Sequence, residues 1–329
     1  MKCTNKMKKL FILMLASSIL VGTCGCGQEK FDFKYDSEYD VSSFQIVNVP
    51  NESVAKAFAS QLCVVSGDVM NDETVDMSQA TSAVLFDVAR NDVLYSKNAH
   101  EQLYPASLTK ILTAYVALKY GSLDQELTAT SVVNITEDGA QLCGLKVGDK
   151  MTLSQALHIL LMYSANDVAM LIAEGVGGTV EDFMELMNQE AHALGATNSH
   201  FANPHGLTDA NHYTTAYDLY LIFNEAIKNE TIREIISMTS YSTVYHDKKG
   251  REKEISFQST NRYFRGEYDS PDHVTILGGK TGTTNAAGHC LLLLSKDNSG
   301  DLYISIILQS AKRDILYSEM TDLLDEIGK

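Results

Sequence analysis

"YPASLTKIL", residues 104–112, decides how the rest of this 329-residue chain is read. A proline and a small residue lead into Ser107, Lys110 follows one helical turn later, and the chain then turns apolar. Leu108, Ile111, Leu112, Tyr115 and Leu118 recur at helical spacing up to Gly121, so the stretch opens a helix. In that setting Ser107 can be a cap and Lys110 a solvated charge. It can equally be a nucleophile with its base on the same helix face, because positions three apart are neighbours there. S-x-x-K alone does not choose between the two. Ser53-Val54-Ala55-Lys56 is a second copy of it in a quite different setting.

Upstream, "SAVLFDVARNDVLYSKN" (82–98) places two apolar runs around Arg90-Asn91-Asp92, which predicts a β-hairpin. Downstream, "TLSQALHILLMYSANDVAMLIAEGV" (152–176) is apolar nearly all round and predicts a buried helical pair. Residues 179–195 predict an amphipathic helix starting at Thr179 or Glu181 and stopping at Gly195, and residues 215–229 another. "GHCLLLLSKDNSGDLYISIILQSA" (288–311) is a hairpin turning at Asp297-Asn298-Ser299-Gly300, and residues 313–329 close the chain with a helix. No internal repeat is present. Strands at both ends with helices between predict an α+β fold. In it, N- and C-terminal strands share one antiparallel sheet, helices pack on it, and a helical subdomain (about 122–270) is inserted.

Hydrophobic residues make up 45% of the chain, enough for a substantial core, and the formal net charge is −16. Phosphate binding needs a surplus of lysine and arginine, so nucleic acid is excluded as a partner and the acidity is read as solubility. Residues 1–25 hold Lys2, Lys6, Lys8 and Lys9, then a short apolar run, and are read as a secretory signal rather than a membrane span. Cys26, preceded by Gly25, resembles the lipidated cysteine of bacterial lipoproteins. Cys24 is the alternative, with Val21 three positions back but Thr23 directly before it. Residues 26–78 are read as a lipidated tether containing a short helix within 52–65, with plain secretion as the alternative to the lipid. Cys63, Cys143 and Cys290 are odd in number and far apart, which predicts neither a disulfide framework nor a metal site.

Two further triplets decide for the nucleophile. Ser164-Ala165-Asn166 breaks the apolar helical pair, and Lys280-Thr281-Gly282-Thr283 precedes the C-terminal hairpin. S-x-x-K, S-D-N and K-T-G occur together in β-lactamases and penicillin-binding proteins. Here the order is kept, with alanine in place of the aspartate. Residues 105–118, 161–174, 278–294 and above all "LGATNSHFANPHGLTDANHYTTAYDL" (194–219) resemble the serine-type D-Ala-D-Ala carboxypeptidases. These are the low-molecular-weight penicillin-binding proteins of the β-lactamase/transpeptidase-like superfamily. The resemblance runs from about residue 80 to about 312, so the catalytic domain is expected over 79–329.

That resemblance implies a penicillin-binding hydrolase that takes the terminal D-alanine from peptidoglycan stem peptides through an acyl-enzyme on Ser107. Lys110 is the implied base and Ser164 the proton relay. Asn166 holds the substrate amide, and Lys280, Thr281 and Thr283 bind the terminal carboxylate. Gly282 allows close approach, and the N–H groups of Ser107 and Thr283 form the oxyanion hole. No metal or cofactor is expected. A lysine serves as base only if burial and a second cation lower its pKa, and Lys280 is placed to be that cation. His205 and His212 are read as structural, Asp218 as satisfying donors at a helix start, and Asp167 has no assigned role. Many members of that family continue into a β-rich domain and an amphipathic membrane helix. Here the lipid is expected to replace that anchor and hold the enzyme extracytoplasmically at the membrane. A β-lactamase using the same serine is an alternative, but Glu190 and Glu225 lack the E-x-x-L-N setting of class A enzymes. A D,D-endopeptidase and a binder without turnover are the others.

Overall fold

The computed structural model describes residues 61–70 and 75–329. The signal segment, Cys24, Cys26 and most of the tether and of its short helix lie outside the described residues. The predicted N-terminal hairpin is β1 (Ala80–Asp87) and β2 (Asp92–Lys97), and the C-terminal one is β8 (Gly288–Asp297) and β9 (Leu302–Ser310). With β7 (Val274–Thr284) they form a five-stranded antiparallel sheet in the order β2-β1-β9-β8-β7. The two ends of the fold thus meet at the β1–β9 pair.

Alternation along these strands separates two cores. Val84, Phe86, Leu292, Leu294, Ile304, Ile306 and Leu308 face the helical cluster. Ala83, Leu85, Leu291, Leu293 and Ile307 face the last helix, α7 (Arg313–Asp325), through its Leu316, Met320, Leu323 and Leu324. Burial on both faces is why "CLLLL" and "YISIIL" read as unbroken apolar runs.

The cluster begins with α1 (Thr109–Tyr120), which ends at Gly121 as expected. Next comes α2 (Leu153–His158), a π-helical turn at Ile159–Tyr163, and α3 (Asn166–Gly177). Then follow α4 (Val180–Ala193), capped by Thr179, and α5 (Ala216–Ala226), capped by Thr215. A short α6 (Glu230–Ser237) completes it.

The inserted region is not wholly helical. It also holds a second sheet of β3 (Glu126–Thr128), β4 (Lys150–Thr152), β5 (Ser240–His246) and β6 (Glu252–Gln258), in that order. Two of these strands are only three residues long, and the β5–β6 hairpin alternates polar residues with half-buried ones, so neither gives an apolar signal. Lys280–Thr283 lies inside β7 rather than before a strand. Its glycines and threonines lack the apolar pattern because β7 is the edge strand and one side of it lines a cleft.

The packed fold also starts ahead of residue 79. Cys63, Val65, Val75 and Met77 are buried, and Val69 pairs with Ser96 through two backbone hydrogen bonds. The Tyr220 ring packs at a tilt against Phe86, centroids 4.2 Å apart, and its hydroxyl accepts the Cys63 N–H at 2.9 Å. Among the described residues no helix is long and apolar enough to cross a membrane. Tyr220→Phe keeps the ring and strands a buried donor. It is expected to cost about 1–3 kcal/mol of stability in denaturant unfolding. An unchanged midpoint would mean that residues 61–65 contribute nothing to the fold.

Candidate active site

Ser107 sits in a single 3₁₀ turn, Ala106–Leu108, that feeds directly into α1. The turn is entered through Ala106 at φ +48°, a left-handed conformation that a residue with a Cβ adopts only when its surroundings impose it. Three contacts do so. Thr109 Oγ1 donates to the Ala106 carbonyl at 2.8 Å. Gly206, at φ +87°, packs so closely on that carbonyl that a Cβ there would lie 1.9 Å from its oxygen. Gly282 closes the other side, where a Cβ would stand 3.1 Å from Pro105 O, Ala106 Cβ and Ser107 N. The glycines of "NPHGL" and "KTG" thus fix the Ser107 turn from two directions.

Lys110, in the first turn of α1, is fully buried. Its Nζ reaches Ser107 Oγ at 2.9 Å, Asn166 Oδ1 at 2.7 Å and the His205 carbonyl at 2.5 Å. Burial lowers its pKa well below the ordinary lysine value, the charge on Lys280 lowers it further, and Asp167 opposes both. Asn166 Oδ1 and His205 O can only accept, so a neutral Lys110 must turn its two N–H bonds to them. Its lone pair then points at the remaining neighbour, the Ser107 hydroxyl.

Ser164 follows the π-helical turn in the left-handed region, at φ +68°. Lys280 Nζ, also buried, donates to Ser164 Oγ at 2.9 Å and to the Thr281 carbonyl at 2.7 Å, and burial brings its pKa down to about 7. Ser164 is therefore tied to Lys280, while the hydrogen bond to Lys110 is made by Asn166. All eight residues singled out from the triplets, Ser107, Lys110, Ser164, Asn166 and Lys280–Thr283, converge here. All but the two buried lysines line one cleft of about 360 Å³.

Several contributors were not legible in the sequence. Asp167 accepts the backbone N–H groups of Cys143, Gly144 and Leu145 at 2.9, 2.8 and 3.0 Å, and the Asn166 N–H donates to Gln141 O. Asp167 thus holds the loop whose residues Gly139–Gln141 form the cleft wall facing β7. Its signal was a buried-type acid beside the triplet, which sequence alone could not connect to a loop more than twenty residues away. Arg262, Arg265, Arg313 and His289 also line the cleft. Arg262 pairs with Glu267 and Asp314 and Arg265 with Glu267, whereas Arg313 makes no ion pair among the described residues. Among the described residues no aspartate or glutamate lines the cleft.

His205 and His212 of the 194–219 stretch have structural partners, His205 Nδ1 accepting the Leu207 N–H. His212 Nδ1 accepts the Ala202 N–H, so Nε2 carries the proton and donates to Thr109 Oγ1 at 2.8 Å. Burial pushes His212 down to about 4 and His205 down to about 3, so both are neutral at neutral pH. Asp218 accepts from the Asn198 N–H and the Ser199 hydroxyl, as expected of a residue serving donors near a helix start. Cys63, Cys143 and Cys290 are free thiols. Among the described residues no group of three or more His, Cys, Asp or Glu side chains is placed to hold a metal ion.

A family model described as D-alanyl-D-alanine carboxypeptidase matches residues 69–312. The D-alanyl-D-alanine carboxypeptidase DacF of Bacillus subtilis is 32% identical over 254 residues, which are 75% of this chain and 61% of DacF. The chain therefore spans less than two thirds of that relative's length. A D-alanyl-D-alanine endopeptidase of Pseudomonas aeruginosa is 28% identical over 232 residues, 69% of this chain and 70% of that protein. Among solved structures, the Streptomyces K15 DD-transpeptidase superposes with a TM-score of 0.71 at 27% identity, over 77% of this chain and 98% of that one.

Lysines of lowered basicity dictate a pH dependence. The rate at which a β-lactam acylates Ser107 is expected to fall as pH drops through about 7, where the Lys280 amine takes up a proton, and to change little above about pH 8. A rate measured by intact mass that still climbs at about pH 9.5 would show lysines of ordinary basicity.

Proposed function

Because the chain belongs to the D-alanyl-D-alanine carboxypeptidase family, peptidase family S11, we propose that it removes the terminal D-alanine from peptidoglycan stem peptides ending in D-Ala-D-Ala. The observation that carries this reading is the environment of Lys110. Its two acceptor-only partners direct the lone pair of the neutral amine to Ser107 Oγ.

Ser107 Oγ attacks the carbonyl between the two D-alanines as its proton passes to Lys110. The N–H groups of Ser107 and Thr283 hold the oxyanion of the tetrahedral intermediate. Collapse breaks the C–N bond, and the departing amine takes a proton through Ser164 from the buried lysines. Water then attacks the ester, gives a proton back, and frees Ser107. The Asn166 amide, fixed through Oδ1 by Lys110, presents Nδ2 to the acyl-donor peptide. The terminal carboxylate lies against Thr281 and Thr283, at the end of the cleft that holds three arginines. That arrangement favours a substrate whose leaving residue is anionic.

Among the described residues the cleft wall carries no carboxylate to activate a deacylating water as in class A β-lactamases, so penicillin is expected to remain on Ser107 for long times. Intact mass of the purified protein with penicillin should show a stable adduct that Ser107→Ala abolishes, together with release of D-alanine from a D-Ala-D-Ala peptide. An adduct without D-alanine release would point to an endopeptidase, and rapid penicillin loss without an adduct to a β-lactamase.

The enzyme acts outside the cytoplasm, held at the membrane by a lipid on Cys26, or on Cys24. The basic-then-apolar residues 1–25 and the glycine before Cys26 support this. Mass spectrometry of the mature N-terminus from cells should find a diacylglyceryl cysteine. An unmodified N-terminus would remove the lipid from the proposal.

A further inference from the structure

Thr283 and His289 are cross-strand partners at the end of the β7–β8 hairpin, so their side chains leave the same face of the sheet. His289 Nδ1 lies 3.2 Å from Thr283 Oγ1, and both residues line the cleft. Arg313 and Asp314 at the start of α7 and Arg262 from the loop after β6 face the ring. Burial lowers the pKa of His289, Arg313 and Arg262 lower it further, and Asp314 opposes them. The imidazole is therefore neutral at neutral pH, and one nitrogen carries its single proton.

Thr283 has one hydroxyl proton to give. If Nδ1 accepts it, Thr283 offers only lone pairs to the cleft. If Nδ1–H donates to Oγ1 instead, the hydroxyl proton is free for a ligand. An anion drawn to this end by the guanidinium groups selects the second arrangement, because it can only accept.

We propose that His289 is a positioning residue whose Nδ1–H donates to Thr283 Oγ1 and so turns the Thr283 proton onto the carboxylate of the leaving residue. The inference rests on the carboxypeptidase reading above. It gives a residue outside all three triplets a share in substrate binding. His289 touches Thr283 and not the reacting atoms, so its effect falls on binding and leaves the acylation step alone.

The test uses benzylpenicillin and its methyl ester, with the dissociation constant of the initial complex and the acylation rate constant measured separately by rapid-mixing intact mass. His289→Leu is expected to weaken binding of benzylpenicillin about tenfold and to leave the acylation rate constant within about twofold. His289→Asn, whose amide nitrogen falls near the Nδ1 position, should bring binding back to within about threefold of the parent. With the ester, which has no carboxylate, His289→Leu and the parent should agree within about twofold. Thr283→Val should show the same binding loss as His289→Leu, and combining the two should add nothing, since both act through one hydroxyl. If His289→Leu does not fold, the Asn and Thr283→Val comparison carries the test. Unchanged binding in His289→Leu, an equal loss with the ester, or a loss confined to the acylation rate would each overturn the assignment. Failure of the unsubstituted protein to be acylated at all would instead overturn the carboxypeptidase reading, and this inference with it.

Discussion

Two lysine amines buried side by side, with no carboxylate among the described residues lining the cleft, are the constraint around which this molecule is organised. Burying an ammonium is costly unless an opposite charge compensates it. A carboxylate partner would make Lys110 stable and inert as a base. Here its partners are a serine hydroxyl, a side-chain amide oxygen and a peptide carbonyl, all neutral. They satisfy the N–H bonds of an amine without stabilising a full positive charge. Asp167 is the carboxylate near enough to be felt by Lys110, and its oxygens are taken up by backbone N–H groups of a loop.

Holding the amines in this state requires the surrounding backbone to be over-determined. Ala106 keeps a left-handed conformation because Thr109 holds its carbonyl and two glycines close over it. Thr109 is held in turn by His212, whose tautomer is set by the Ala202 N–H. His205 contributes its carbonyl rather than its ring. The long 194–219 stretch therefore acts as a clamp on the Ser107 turn, and His205 and His212 serve through geometry, being neutral at neutral pH. Strain of this kind persists only where neighbouring structure fixes it, and it marks functional positions.

Charge is distributed unevenly. The chain is strongly acidic overall, yet the charged side chains lining the cleft are arginines, brought together from the loop after β6 and the start of α7. That loop is docked on α7 by the Tyr317 hydroxyl, which accepts the Arg262 N–H, and by the stacking of Tyr268 on Tyr317 at 4.6 Å. Arginines gathered in one cleft of an acidic protein create a local attraction for an anionic group.

By itself the sequence determined the two hairpins, the long helices with their caps, and the joining of N- and C-terminal strands in one sheet, because apolar periodicity and turn residues are local signals. It also singled out the eight residues that converge on the cleft, since the three triplets occur together and in one order, whereas S-x-x-K alone recurs at Ser53–Lys56. Tertiary structure alone decided the rest. The second sheet has strands too short or too polar to leave a pattern. Lys280–Thr283 became an edge strand because β8 offered it a partner. Asp167 acquired its work from a loop more than twenty residues away, and Arg262, Arg313 and His289 met only because a loop, a helix start and a hairpin end at the same corner of the sheet. Such meetings are set by long-range packing, which no window of sequence records.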